Sequence, residues 1–281
     1  MPVSPAKTPP VLSIEKASGG KEPFSEEKLE RSLRGAGASP RQVQTVLDLI
    51  RRRIYPGINT RKIYRMAFDL LHREARHLAA RYSLKRAVMS LGPSGYPFEK
   101  FIGALLEKQG YETRVDVQME GACVSHEVDV VASKGRHQRL VECKFHNREG
   151  VKCDIKVALY VYARSLDLKN HLTEGHSNEF WLVTNTKFTT DAIKYGGCVG
   201  LNLLSWDFPP GKGLKEWIER EELHPLTCLT TLKTRQKKKL LEQNVVLCRE
   251  LTHRPGLLSG LGVTQPQIRR ILKEVESLAG A

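Results

Sequence analysis

Alternating apolar and polar positions in the middle of the chain predict two adjacent β-strands. Residues 127–132 and 139–145 are rich in valine and other strand-forming residues, and the polar stretch 133–138 between them has the composition of a turn. An antiparallel hairpin is therefore expected. Because side chains alternate along a strand with a period of two, Glu142 and Lys144 share one face of the second strand.

The same patterning predicts a mixed α/β unit around this hairpin. Apolar residues at helical spacing mark helices at 151–168 and 190–195, and apolar runs mark strands at 180–185 and 199–204. This order of elements gives a mixed sheet flanked by helices. Charged positions of the long helix, such as Arg164, are expected on its solvated face.

The first part of the chain has a different pattern. The proline-rich residues 1–10 predict a disordered lead, and an apolar run at 11–14 predicts a short strand. Ser25 stands where it would cap a helix, and apolar stripes within 43–50 and 63–71 predict two further amphipathic helices.

Composition narrows the class of protein. A chain of 281 residues with 40% hydrophobic and 27% charged residues is expected to fold into two or three soluble domains. The absence of a signal pattern and of a long apolar run predicts a cytoplasmic protein with no membrane partner. The six cysteines are scattered and form no CxxC pair, so we expect reduced thiols rather than disulfides or structural zinc.

The positive charge is concentrated at the two ends of the chain. The net charge is +14 in total, with +10 on residues 1–92, −2 on 93–223 and +6 on 224–281. Basic flanks around a nearly neutral centre indicate that the flanks hold a polyanion such as DNA. The alternative is a generally basic protein that does not bind nucleic acid.

The hairpin carries the candidate chemistry. If the register allows, Asp129 stands across from Glu142, and Lys144 lies beside this carboxylate pair. Two carboxylates suffice to bind Mg²⁺, or Mn²⁺, with the carbonyl oxygen of Cys143 as a further candidate ligand. The metal would activate water, and Lys144 would orient that water or neutralise charge on the phosphate. The alternative is an ordinary set of charges on a solvated sheet.

The middle of the chain resembles the PD-(D/E)XK nuclease core, in particular the Mrr-type restriction endonucleases and their Holliday-junction-resolvase relatives. The resemblance covers about residues 94–208. The matching segments are FEKFI at 98–102, LL at 105–106, GY at 110–111, EVD at 127–129 and VECK at 141–144. The family pattern has a proline before the aspartate where this chain has Val128.

This resemblance implies roles for the matching residues. Asp129 and Glu142 would be the metal ligands and Lys144 the catalytic lysine, with Glu99 on the first helix as an auxiliary acid. In Mrr-type proteins a polar residue of the helix after the third strand also faces the site. Lys152 and Lys156 are the candidates for that position, and Lys156 is preferred.

Residues 11–90 resemble the ATP-cone, a regulatory nucleotide-binding module of ribonucleotide reductases and their transcriptional repressor. The matching segments are EK at 15–16, GGKEPF at 19–24, KL at 28–29, TRKI at 60–63 and ARY at 80–82. The resemblance implies that ATP or dATP binds in a basic pocket containing Lys16, Lys21 and Lys28. The family commonly has an aspartate where Ser25 stands.

The end of the chain resembles a helix-hairpin-helix module. The segment LSGLGV at 258–263 runs into a basic helix at 267–272, so glycine backbone N–H groups and arginines could together contact DNA phosphates. The alternative is a small helical bundle for dimerisation.

The sequence therefore predicts a multidomain α/β protein of three parts. An α+β ATP-cone is expected at 11–92, a PD-(D/E)XK nuclease domain at 94–222 and an all-α unit at 224–281. The predicted function is a nucleotide-regulated, Mg²⁺-dependent DNA endonuclease, with a homodimer plausible for double-strand cleavage. Two alternatives remain open, a non-catalytic nucleotide-sensing DNA-binding regulator and a Holliday-junction-type resolvase.

Overall fold

Contacts within the chain divide it into two compact units, Met1–Tyr82 and Ser83–Ala281. The computed structural model describes residues 12–16, 19–169 and 177–279. The predicted disordered lead lies outside the described residues. Residues 83–92 belong to the second unit, whereas the prediction grouped them with the first; the three-domain division itself stays a prediction.

The first unit pairs a β-hairpin with a helical layer. Its elements are β1 Ser13–Glu15, β2 Lys21–Pro23, α1 Glu26–Gly35, α2 Pro40–Arg53, α3 Thr60–Glu74 and α4 Arg76–Tyr82. The hydroxyl of Ser25 caps α1 by accepting a hydrogen bond from the N–H of Lys28 at 3.2 Å, as predicted. The apolar stripes of α2 and α3 form the core of this unit, where Val46, Ile50 and Leu71 are almost fully buried.

The second unit contains a mixed α/β part followed by short helices. The α/β elements are α5 Leu84–Met89, α6 Tyr96–Lys108, β3 Glu112–Glu120, β4 Ser125–Lys134, β5 His137–Lys144, β6 Lys152–Cys153, α7 Ile155–Lys169, β7 Ser177–Thr184, β8 Lys187–Phe188, α8 Thr190–Val199, β9 Asn202–Leu204 and α9 Leu214–Arg220. A 3₁₀ turn at Leu226–Cys228 leads into α10 Thr234–Glu242, α11 Glu250–His253, α12 Gly256–Ser259 and α13 Gln265–Ala279.

The main sheet is mixed, as the pattern of elements predicted. Its strand order is β3-β4-β5-β7-β9. The first three strands pair antiparallel, and β7 and β9 continue parallel to β5. Helix α6 packs on β3, β4 and β5, while α7 packs on β7. Strand β5 is therefore the central strand of the sheet, with a hydrogen-bonded neighbour on each side.

Helix α8 is longer, and the strand after it shorter, than predicted. The helix continues through Gly196 to Val199, and β9 begins only at Asn202. A Cβ on Gly196 would lie 2.7 Å from Cδ1 of Leu203, so the glycine allows the helix to approach the strand closely. Tertiary packing at this glycine outweighs its low helix propensity.

The C-terminal helices are joined by a buried carboxylate. Glu274 on α13 is 4% exposed. Its Oε1 accepts hydrogen bonds from the N–H and hydroxyl of Thr230, and its Oε2 accepts those of Thr231, at 2.6–2.9 Å. These four donors satisfy a charge that burial would otherwise make costly. The predicted hairpin turn lies between α12 and α13, where Gly262 has a φ of 65°.

Replacing Glu274 with glutamine should destabilise the second unit by about 2–3 kcal/mol, because the amide NH₂ cannot accept two of the four hydrogen bonds. Urea unfolding would measure the change in the free energy of unfolding. Glu276→Gln on the exposed face of the same helix is the matched control and should change it by less than about 0.5 kcal/mol. Equal effects of the two substitutions would contradict this account.

Among the described residues, no helix combines the length and hydropathy required to cross a bilayer.

Candidate active site

The register of the predicted hairpin places the two carboxylates opposite each other. Val130 pairs with Val141 in the antiparallel ladder of β4 and β5. One step further along the same register, Asp129 faces Glu142. The N–H of Cys143 donates a hydrogen bond to Oδ2 of Asp129 at 2.6 Å, which fixes the aspartate against β5. The last ladder pair and this hydrogen bond place Asp129 beside residues 142–143 of β5, in agreement with the expected position across from Glu142.

Glu99 joins this pair from helix α6. The pKa of Glu99 is raised to about 7. Burial is the largest cause, and the negative charges of neighbouring carboxylates add to it: Asp129, Asp116, Glu127 and Glu142. Glu99 therefore lies within electrostatic reach of both predicted metal ligands. The position of Glu99 matches the auxiliary role that the resemblance implied.

Both carboxyl groups of the hairpin have raised pKa values, chiefly because they are buried and in part because other carboxylates lie nearby. Burial and the charge of Glu142 raise the pKa of Asp129 to about 7, although the hydrogen bond from Cys143 acts in the opposite direction. Burial also raises the pKa of Glu142, against the opposing effect of Arg164. Such groups titrate together rather than singly. A shared cation would relieve both the burial cost and the mutual repulsion.

Arg164 is a residue of this site that the sequence analysis did not identify. Its Nη1 lies 2.5 Å from Oε2 of Glu142, and its Nη2 donates to the backbone carbonyl oxygen of Glu127. The Arg164 side chain is only 13% exposed, so its assignment to a solvated helix face was wrong. The long arginine side chain spans from α7 to the carboxylate on β5.

A signal for Arg164 was present in the helical pattern. The buried positions of α7 include Val161, Ser165 and Leu168, and position 164 directly adjoins this stripe. A charged residue at the margin of a buried helix face generally needs a partner from the neighbouring layer. The pattern alone could not show that this partner is Glu142.

Asp116 is a second residue that the sequence analysis did not identify. It lies on β3, and the β3–β4 register places it across from Asp129, where the regular pairing is interrupted. Its φ of 57° is uncommon for a residue other than glycine. The exposed Asp116 adds negative charge near Glu99 and raises the pKa of that group.

Lys144 ends β5 at the exposed side of the site. Its positive charge lowers the pKa of Glu142, so the two groups lie close enough to interact, as the period of two predicted. The backbone carbonyl of Lys144 accepts a hydrogen bond from the hydroxyl of Thr184 on β7 at 2.7 Å. This hydrogen bond fixes the backbone of Lys144, and the side chain is exposed.

The thiol of Cys143 is buried and lies within electrostatic reach of Asp129, Glu99 and Glu142. Burial raises its pKa well above the ordinary range, so the sulfur is a protonated thiol and unsuited to ligate a metal. Only the carbonyl oxygen of Cys143 remains a candidate ligand. In the described part of the chain, no group of three or more His, Cys, Asp or Glu side chains is arranged as a metal site.

The two candidate lysines after β5 lie apart from the carboxylates. Lys152 in β6 and Lys156 in the first turn of α7 are both exposed. Lys156 makes no ion pair with Asp129 or Glu142; its backbone N–H binds Oδ1 of Asp154. Lys156 precedes Arg164 by eight residues, about two helical turns, so the two lie on neighbouring positions of one helix face. Arg164 reaches Glu142 from this face, whereas Lys156 is exposed.

The three lysines predicted to bind nucleotide are in the first unit. Lys16 and Lys28 lie on either side of Glu22, with Nζ at 2.8 and 3.6 Å from its Oε2. The hydrogen bond from Lys16 lowers the pKa of Glu22. Lys21 is exposed on β2. The structure therefore brings two of the three lysines together around one carboxylate.

Comparison with known proteins identifies two segments of the second unit. Residues 92–207 match the Mrr catalytic-domain family, described as a restriction endonuclease. Residues 224–279 match the family described as AF1548-like, C-terminal. An uncharacterised protein of Archaeoglobus fulgidus is 36% identical over 177 residues, which cover 63% of this chain and 98% of that protein. The chain belongs to the AF1548-like family.

Solved structures support the fold of this AF1548-like chain. The crystal structure of AF1548, a protein of unknown function, superimposes on this chain with a TM-score of 0.55 and 34% sequence identity. The superposition covers 66% of this chain and 99% of AF1548. A weaker similarity is to the MspJI restriction endonuclease in complex with a 27-mer oligonucleotide, with 13% sequence identity and a TM-score of 0.32. It covers 45% of this chain and 29% of that one. The central mixed sheet is consistent with a restriction-endonuclease-like fold.

Proposed function

We propose that this chain is a DNA endonuclease that depends on a divalent cation. The observation that carries the proposal is the pairing of Asp129 with Glu142, both with raised pKa values, within electrostatic reach of Glu99 and Lys144 in a restriction-endonuclease-like domain. Buried carboxylates that repel each other are expected where a cation belongs.

The donor set fits Mg²⁺ or Mn²⁺. These ions take oxygen ligands, and Mg²⁺ commonly uses one or two carboxylates together with water and substrate phosphate oxygens. Asp129 and Glu142 would supply the carboxylates, with the Cys143 carbonyl oxygen as a further ligand. When bound, the cation would polarise the scissile phosphate and lower the pKa of a bound water.

The protein groups around the cation have separate roles in this proposal. Lys144 places an exposed ammonium where it can neutralise charge that develops on the phosphate. Glu99, with a pKa of about 7, can take up or release a proton at neutral pH. The N–H of Cys143 orients the Asp129 carboxylate through its hydrogen bond. Arg164 positions the Glu142 side chain through its ion pair with Oε2.

DNA would be held largely by the basic flanks of the chain. The net charges of +10 on residues 1–92 and +6 on 224–281 attract a polyanion. Arg269 and Arg270 are exposed on α13, directly after the predicted hairpin turn. These arginines are the residues proposed to contact phosphates in the C-terminal unit.

Cleavage assays with the purified full chain test the function. Supercoiled plasmid, linear duplex, modified duplex and four-way junctions would be incubated with Mg²⁺, Mn²⁺ or EDTA, with and without ATP or dATP. The proposal requires metal-dependent cutting that is lost in Asp129→Asn. DNA binding with no cutting of any substrate would instead support the nucleotide-sensing regulator, and paired symmetric cuts by a dimer at junctions would support the resolvase.

Nucleotide regulation is proposed for the first unit. The ATP-cone resemblance of residues 11–90 and the pairing of Lys16 and Lys28 around Glu22 support a site for an adenine triphosphate there. The phosphates would replace the Glu22 carboxylate as partner of the two ammonium groups.

Replacing both Lys16 and Lys28 with methionine should weaken ATP binding at least tenfold, because two cations that contact the phosphates are lost. Isothermal titration of the full chain with ATP and dATP would measure the affinity. Arg65→Met on the exposed surface of α3 is the control and should leave it within about twofold. Undiminished binding in the double variant would exclude this pocket.

A further inference from the structure

A cavity of about 620 Å³ lies in the second unit, away from the carboxylate site. It is enclosed by α5, the loop before α6 and helix α10. Its walls combine apolar side chains, including Leu91, Tyr96 and Leu241, with polar side chains such as Ser90 and Thr234. Its volume lies in the range of small-molecule sites, which is about 300–1,000 Å³.

Lys237 of α10 is the unusual residue of this cavity. Its Nζ donates a hydrogen bond to the backbone carbonyl oxygen of Thr227 at 2.7 Å, and both residues line the cavity. Burial lowers the pKa of Lys237. Over the part of the chain that the structure describes, no carboxylate comes within ion-pairing distance of this ammonium. Lys237 is half-buried, its hydrogen bond goes to a neutral carbonyl oxygen, and the charge of Glu274 acts on it without a direct ion pair among the described residues. A bound anion would complete the compensation of this cation.

The rest of the lining is also positively charged. Arg86 and Lys238 line the cavity together with Lys237, and Glu242 is the acidic residue among the described lining residues. Glu242 is paired with Lys238 at 3.8 Å at the exposed side. Because Arg86 and Lys238 each have a carboxylate partner, Lys237 is the lining cation with which a bound anion would pair. The carboxylate Glu149 that contacts Arg86, at 3.6 Å, is not part of the lining.

We propose that this cavity binds a phosphate monoester carried on an organic group of about nucleoside size, with Lys237 as the anchor of the phosphate. The ammonium group of Lys237 suits a phosphate, and the apolar wall with Tyr96 suits a flat heterocyclic body. The same chemistry could be supplied by a free nucleotide or by the 5′-phosphorylated end of a DNA strand.

The test uses the full chain and four probes: adenosine 5′-monophosphate, adenosine, inorganic phosphate, and a short duplex with or without 5′-phosphates. Isothermal titration would be compared for the parent chain, Lys237→Met and Lys239→Met. Lys239 is exposed on the same helix and is not a lining residue, so it controls for the change in net charge. Leu241→Trp, which fills the cavity from its apolar side, is a second variant that leaves Lys237 in place.

We expect one binding event for the monophosphate that Lys237→Met and Leu241→Trp each weaken at least tenfold, and Lys239→Met by less than twofold. Adenosine should bind at least tenfold more weakly than its monophosphate. Competition by the phosphorylated duplex but not by the unphosphorylated one would identify a DNA end as the source; no competition would identify a free nucleotide. The proposal is overturned if no phosphate probe binds, or if binding is unchanged in both cavity variants.

Discussion

Asp129→Asn is expected to abolish cleavage and at the same time to stabilise the metal-free protein. The rate should fall by about 10³-fold or more, because a metal contributes several kcal/mol to the transition state and each 1.4 kcal/mol is a factor of ten. The asparagine keeps the shape of the side chain, and its carbonyl oxygen can still accept the hydrogen bond from the N–H of Cys143. The loss of activity would therefore reflect the lost charge.

The gain in stability follows from the raised pKa. Asp129 has a pKa of about 7 in the folded chain and 3.8 as its ordinary value. The unfolded state therefore loses its proton first, and the carboxyl group destabilises the fold increasingly as pH rises from about 4 to about 7. Asp129→Asn removes this penalty, so the free energy of unfolding in EDTA should rise by about 1–3 kcal/mol at pH 8 and little at pH 4.5.

Denaturant unfolding at the two pH values and nicking of supercoiled DNA would measure both effects in the same preparations. Asp191→Asn, an exposed acid in the first turn of α8, is the matched control for both assays. A variant that is inactive but less stable at pH 8 would indicate a structural role for Asp129 rather than a crowded metal ligand. Retained cleavage would remove Asp129 from the proposed mechanism.

Arg164→Met should lower the free energy of unfolding by about 2–4 kcal/mol at pH 8 in EDTA, because it leaves the partly buried Glu142 carboxylate without its ion-pair partner. The loss should be smaller at pH 5. The pKa of Glu142 is raised even with Arg164 present, so without the arginine the carboxyl group can take up a proton and become neutral.

A double-mutant cycle with Glu142→Gln separates the pair from its surroundings. The double variant should lose less stability than the sum of the single variants, with a coupling energy of about 1–3 kcal/mol. Lys156→Met, on the same face of α7 but exposed, is the control for removal of a positive charge and should show a coupling near zero. A coupling below about 0.5 kcal/mol for the Arg164 pair would mean that this contact contributes little in solution.

The parts of the structure that depend on local pattern could be predicted from the sequence. The period of two in residues 127–145 predicted the antiparallel hairpin, which the register confirms, and the position of Asp129 across from Glu142 is the next step of that register. The apolar stripes of α2 and α3 predicted which residues form the first core. Glu99 followed from resemblance to a nuclease family, since no periodicity relates a helix residue to a strand 30 residues later.

The parts of the structure that depend on contacts between distant elements could not be predicted from the sequence. Arg164 reaches Glu142 only because α7 crosses over the sheet on its way to β7, and helical periodicity treats it as one more charged residue. The φ of 57° at Asp116 has no sequence signal, since aspartate adopts many conformations. The continuation of α8 through Gly196 depends on Leu203, which lies in another element.

The central place of β5 has a consequence for how the acidic groups respond to thermal fluctuation. Residues 137–141 of this strand pair with both β4 and β7, so their amides can exchange with solvent only when the sheet itself separates, whereas residues 142–144 continue the pairing with β7 alone. Glu142 and Lys144 thus lie on the last three residues of β5, directly after the part of the strand that both neighbouring strands hold.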